Sequence, residues 1–429
     1  MNNRLIRRCS SLLLALACAS GLLAPVAAMA QDVGKDEVKK EDSKKKDPDL
    51  AASVNPDDPS AVSVYVIDVR GDFGKDFSAN LMKELLADAK KRQPDIILFR
   101  VDAAFLNQRG DGPGDIRDMR DTFTVRMGLQ AAEGIGVQLI DDIDADPEWK
   151  KKPRRVAWVK KALGPTALLP FFCKEIYFAP DGMHGGIGYL DFFFANMVDQ
   201  VVREKLRGAT LGHIEGLAVK GGHDYRIVRA MTRMDYELSY TLKGGRPDFR
   251  ENRTDGEVLL TDDGDAEAGR ADTVEDFVQL KGNDVLNLRA DTALTLGWSA
   301  GTAESLADLM YELGHSRAYR VIAEPARKIS SAFASRVSRN RDQVMKLERD
   351  VRANWERRGE GDTVDARNSN RAKLKRMLEE MNAILARYPE SVHRIADPEQ
   401  QMSENNQRIA VLEQEIRLDR AMPRRPGGR

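Results

Sequence analysis

The chain has 429 residues, with 67 basic and 68 acidic side chains and a formal net charge of −1. Charges of both signs are interspersed, which excludes a bulk basic surface and with it a nucleic-acid partner. Five histidines and three cysteines form no pair or cluster at ligand spacing, so no metal and no other cofactor is expected.

Arg4, Arg7 and Arg8 precede an apolar stretch from Leu12 to Leu23, and Ala28-Met29-Ala30 supplies a small-x-small site before Gln31. Residues 1–30 therefore read as a cleaved export signal, and the expected location is periplasmic. A lipoprotein signal at Cys18 is the weaker alternative, because Ala15 stands where a leucine is usual. After cleavage Cys173 remains alone, so no intrachain disulfide can form. Residues 31–60, rich in Lys, Asp and Pro, have little to bury and are predicted to be a disordered charged tether.

From Ala61 to Val69 the run AVSVYVIDV is β-branched and apolar and predicts a buried strand. Ser78 to Lys91 carries Leu81, Leu85, Leu86 and Ala89 at helical spacing, and Pro94-Asp95 breaks to a second strand over Ile96 to Val101. This is a βαβ unit with a parallel pair. Gly134 to Ile140 and Val156 to Val159 are expected to add two further strands. Gly185-Gly186-Ile187-Gly188 lacks the Lys and Ser/Thr of a phosphate loop, and Asp262-Asp263-Gly264-Asp265 lacks the closing glutamate of a calcium loop.

Residues 243–284 form an insertion rich in Gly, Asp and Arg, read as a decorated loop with a short strand at Glu257 to Leu260 and a short helix at Val274 to Leu280. Beyond Pro325 the apolar positions recur at three and four residues: Val337, Val344, Leu347, Val351 and Trp355; Leu374, Met377, Met381, Ile384 and Tyr388; Met402, Ile409, Leu412 and Ile416. Three amphipathic helices over 325–429 follow, with a disordered tail. Each seam is short, so an intramolecular bundle and an intersubunit coiled coil stay open, and a homo-oligomer is expected. No segment after the signal reaches the roughly twenty apolar residues of a membrane span.

The stretch Arg155 to Gly188, RVAWVKKALGPTALLPFFCKEIYFAPDGMHGGIG, resembles the active-site segment of NfeD-type, membrane-associated ClpP-class serine proteases. Leu286 to Leu313 resembles the closing strand, helix, glycine turn, strand and helix of the same family. The resemblance implies an α/β ClpP/crotonase-like spiral of βαβ units over residues 61–319, followed by the helical module. It also implies that the nucleophile position falls on Gly164, with Gly164-Pro165-Thr166 replacing the family's Ser-Ala-Gly.

Lys205 falls on the general-base position, where the family uses a desolvated lysine. The oxyanion turn falls on Asp102 to Phe105, which places Ala104 and Phe105, with Pro165, at the oxyanion and peptide-binding positions; the expected glycine pair is missing. Phe171, Phe172, Tyr189 and Phe192 to Phe194 are candidates for an apolar groove, or for core and subunit contacts.

The function implied is that of an exported, catalytically degenerate relative that binds peptide or protein segments or acts as an assembly scaffold, with a membrane protein as a possible partner. The alternative is an active Ser/Lys-type endopeptidase using Lys205 as base and Thr166 as a displaced hydroxyl nucleophile. Cys173, in the apolar run LLPFFC, is the weaker nucleophile candidate. A crotonase-like acyl-CoA enzyme shares the fold, but export argues against it.

Overall fold

The computed structural model describes residues 53–71, 73–103, 122–187, 199–233, 236–262, 285–392 and 395–421. Its centre is a seven-stranded sheet. The first strand, β1 (Val62–Arg70), is followed by helix α1 (Ala79–Arg92) and strand β2 (Ile96–Ala103). The βαβ unit is thus present as its pattern dictates. Ser78 caps α1 by accepting from the Leu81 N–H, and Gln93 closes it in the left-handed region after Lys90, Lys91 and Arg92 in the last turn.

Helix α2 (Thr122–Leu139) and one π turn (Ile140–Ala145) lead to β3 (Arg154–Leu163). The expected strand over Gly134 to Ile140 is therefore corrected. Ala132, Ile135 and Leu139 are buried at helical spacing, and a short apolar run does not distinguish a strand from a buried helix. A 3-10 segment (Gly164–Phe172) joins β3 to β4 (Glu175–Gly185).

Then come α3 (Gln200–Gly221), α4 (Tyr225–Thr232), and strands β5 (Leu238–Lys243), β6 (Arg246–Glu251) and β7 (Val258–Thr261). The last three form a separate antiparallel sheet, in the order β6-β5-β7. The insertion is therefore more than a loop: it holds β6, and the expected strand at Glu257 to Leu260 is present as β7, while Tyr240 packs on Phe249 and Leu238 joins the core. The expected helix at Val274 to Leu280 lies outside the described residues.

The closing segment runs β8 (Asn287–Arg289), α5 (Ala290–Thr295), β9 (Gly301–Thr302) and α6 (Leu306–Glu312), with Gly297 in the left-handed region between α5 and β9. Strand β10 (Tyr319–Ile322) completes the large sheet, whose order is β10-β1-β2-β3-β4-β8, with β9 also on β4. Strands β10, β1, β2, β3 and β4 pair in parallel; β8 is antiparallel. The result is a mixed α/β fold rich in parallel pairing.

A parallel sheet is buried on both faces, and alternate side chains divide accordingly. Tyr65, Ile67, Val69, Phe99 and Val159 face the main core with α1, α2 and the 3-10 segment. Val64, Val66, Leu98 and Trp158 face a smaller cluster with α6. Val54 packs on that second cluster and exchanges backbone hydrogen bonds with Tyr319 of 3.0 and 2.8 Å. The tether's last residues, 53–60, are therefore part of the fold; residues 31–52 lie outside the described ones.

The helical module comprises α7 (Glu324–Trp355), α8 (Val364–Arg387) and α9 (Pro398–Ala421). Its first turns belong to the main core, through Ala326, Phe333 and Val337. Farther out, Val344 meets Leu385 and Val392, and Val351 meets Leu374, Leu378 and Leu412. Arg371, nearly buried, is held by Glu415 at 2.9 Å and by Asp419. The three helices thus pack against one another within the chain.

Candidate functional site

The junction after β3 is where the family resemblance of Arg155 to Gly188 would put a nucleophile. Gly164 has φ +68, in the region that L side chains avoid. Pro165 follows at the first helical position, where its missing N–H costs nothing. The sharp turn is thus built from these two residues, and both are buried. No side chain at 164 is available to attack anything.

The substitutes are no better placed. Thr166 is 2% exposed. Cys173 is fully buried, and burial pushes its thiol up to about 12, so it is not a thiolate at neutral pH. Lys205 is exposed on α3, in the stretch Gln200 to His213 that contains no buried residue. A neutral lysine base depends on desolvation, and that site does not provide it. Ala104 and Phe105 lie outside the described residues, as do Tyr189 and Phe192 to Phe194.

The structure does bring together a group that the sequence analysis passed over. His184, on β4, is fully buried. One ring nitrogen, Nε2, lies 2.7 Å from the Ala167 carbonyl oxygen, and the Trp298 Nε1–H donates to the other, Nδ1, at 2.9 Å. Because Trp298 can only donate, Nδ1 must be the acceptor and Nε2 must carry the proton. The imidazole is therefore neutral, and burial depresses its pKa to about 4. The bond to Ala167 fixes the 3-10 segment to the sheet, and the ring touches Phe171 and Trp298 rather than solvent.

His223 extends the cluster. Its Nε2 lies 2.8 Å from the Cys173 carbonyl oxygen, its ring centroid is 4.8 Å from that of Trp298, and burial lowers its pKa as well. The two contacts of His223 join residues 50 and 75 positions apart and that of His184 with Trp298 residues 114 apart, and no local spacing announces them. The cluster is structural: it closes the back of the junction.

Beside the junction lies a cavity of about 250 Å³ between the 3-10 segment and α3, lined chiefly by Leu168, Phe172, Ala209, Ile214 and Leu217. His213 Nε2 stands 3.3 Å from Glu133 Oε1 at its edge. Phe172, predicted as a groove residue, lines this cavity; Phe171 is core, 1% exposed. The arrangement can seat an apolar side chain. Its lining includes one hydroxyl, that of Thr210, one turn before His213 on α3, and among the described residues no group of His, Cys, Asp or Glu could hold a metal ion.

No family model matches the chain, and no curated protein matches it. Among solved structures it is similar to a mutant of the 1510-N membrane-bound stomatin-specific protease in complex with a substrate peptide, at 12% identity and a TM-score of 0.34. That similarity covers 64% of this chain and 99% of the other.

Proposed function

We propose that this chain is a catalytically degenerate protease-like scaffold, exported from the cytoplasm, which binds apolar polypeptide segments without cutting them. The observation that carries the reading is the pairing of an apolar cavity of about 250 Å³ with an adjoining turn that holds glycine at the nucleophile position. The family resemblance of Arg155 to Gly188 supplies the reason to regard that turn as a former active site. Binding of an extended segment needs a pocket and main-chain partners, not a serine.

The endopeptidase reading with Thr166 and Lys205 has no observation in its favour, since one is buried and the other solvated. Assembly into homo-oligomers and a membrane protein partner remain parts of the proposal. No described helix is long and apolar enough to cross a membrane.

The test is binding of a photo-crosslinkable library of apolar peptides to the purified chain and to an Ala209→Glu variant. Ala209 lines the cavity yet is exposed, so a charge there blocks the pocket without disturbing the core. Labelling of the 3-10 segment in the parent, lost in the variant, is the expected result. Equal labelling of both proteins, or none of either, would sink the reading.

A further inference from the structure

The face of the large sheet that looks toward α6, opposite the junction, carries a second cavity of about 300 Å³. That volume is at the small end of ligand pockets. It lies against the carboxyl halves of β1 and β2 and the middle of β3 and β4. Arg100 and Trp158 continue the side-chain row of Leu98 and Val156, so the cavity belongs to the face of the smaller cluster.

Two irregularities open it. The β2/β3 register shifts between Val101 and Asp102, and the β3/β4 register between Val159 and Lys161. Lys160 therefore has no ladder partner on either side. On β4, Phe178 pairs with Val159 and Met183 with Lys161, so residues 179–182 make an excursion between them. The other edge of β4 is equally interrupted, because β9 pairs only with Tyr177 and Phe178 while β8 begins at Met183. Only glycine lets the strand return: a Cβ on Gly182 would sit 2.6 Å from the Val159 carbonyl oxygen. Bulges of this kind re-aim side chains and gather at binding sites.

Strand order then sorts the charges. Arg70, Arg100 and Lys160 come from β1, β2 and β3, whereas Asp181 and Glu304 come from β4 and from the loop after β9. Asp102, on β2 with Arg100, adds one carboxylate to the basic side, and Trp158 with Pro180 supplies apolar surface. Arg100 is nearly buried and held in place by Asp68 at 2.7 Å, which in turn is bonded by Arg327 at 3.0 Å. Asp102, Lys160, Asp181 and Glu304 have no ion-pair partner among the described residues. Lys160, Asp181 and Glu304 thus line the same cavity without an ion pair among them.

We infer that this cavity binds a small dipolar molecule with a carboxylate at one end and an ammonium at the other, the size of an amino acid or dipeptide. The carboxylate lies toward Arg70, Arg100 and Lys160, and the ammonium toward Asp181 and Glu304. A guanidinium suits a carboxylate because its fork of N–H donors matches the two oxygens. The site uses the opposite face of the sheet from the junction, so it does not depend on the reading of that junction as a former active site.

Calorimetric titration of the whole chain with alanylalanine, its N-acetyl form and its C-terminal amide tests the assignment. The free dipeptide binds, and each cap weakens binding about tenfold or more, the worth of one charge-assisted contact. Lys160→Ala weakens the preference for a free carboxylate, which Arg70 and Arg100 retain in part, and Glu304→Gln with Asp181→Asn removes the preference for a free amine. All three side chains are exposed, and circular dichroism checks that the variants stay folded. The assignment is overturned if the free dipeptide gives no heat up to about 10 mM, if the capped forms bind equally well, or if the variants keep both preferences undiminished.

Discussion

Acidification should destabilise this protein through His184 at pH values where carboxylates are still ionised. The unfolded imidazole titrates near 6.5, whereas in the fold burial holds it down to about 4. Below 6.5 the unfolded chain takes up a proton that the folded chain refuses, so stability is complete above 6.5 and falls as the pH drops toward 4. The slope is about 1.4 kcal/mol per pH unit, amounting to about 3 kcal/mol by pH 4, where the folded form begins to protonate and the loss levels off. Protonation would place an N–H against the Trp298 Nε1–H, two donors facing each other with no acceptor between them. His223, also lowered by burial, acts in the same direction. Glu390, raised by burial, acts in the opposite one, contributing stability at low pH that is lost as the pH rises. Urea unfolding at about pH 7.5 and about pH 5, for the parent and for His184→Phe, isolates the imidazole, because the other groups are common to both proteins. The variant is less stable at the higher pH, having lost two hydrogen bonds, but its stability falls less on acidification. Equal slopes in the two proteins would refute the account of His184.

Placing a serine at the junction should not create an enzyme: Gly164→Ser forces a side chain into a left-handed backbone, costs about 1–2 kcal/mol in a denaturant melt, and gains no peptidase activity. Phe333→Ala removes a fully buried ring shared by α7 and the main core, with an expected loss of about 3–5 kcal/mol by chemical denaturation; a loss under about 1 kcal/mol would mean that the helical module is not docked as described. Cys173 should ignore a thiol reagent in the native protein and react stoichiometrically in denaturant, so rapid native labelling would contradict its burial. Lys205→Ala should leave stability within about 0.5 kcal/mol of the parent, as solvated surface changes usually do.

Much of the architecture was legible from residue spacing. The unit β1-α1-β2 follows from one buried strand pattern, one helical stripe and the break at Pro94. The three C-terminal helices follow from apolar residues at three and four, separated at Gly359 to Gly361 and after Pro389. What spacing could not give was the state of the short apolar run at Gly134 to Ile140, which the helix ending at Leu139 claims through contacts with the core. Nor could it give the antiparallel sheet at residues 238–261, whose strands carry many charged residues and depend on mutual pairing.

The candidate site was legible only in part, for the same reason. Gly164 and Pro165 announce a sharp turn by their own chemistry, and the structure has one there. Whether Thr166 or Lys205 is usable is a question of burial, which neither residue's neighbours in sequence decide. The tie between Ala167, His184 and Trp298 spans residues 131 positions apart at its extremes by number, and it exists only once β4 and α5 are in place.

The most direct measurement is cleavage of an unstructured protein substrate by the purified chain, beside Thr166→Ala and Lys205→Ala controls matched for folding by circular dichroism. The account predicts no cleavage above background by any of the three, while the parent still labels with apolar peptide at the 3-10 segment. Cleavage by the parent that either substitution abolishes would contradict it, and would mean that the buried hydroxyl or the solvated lysine moves into a working site when substrate binds.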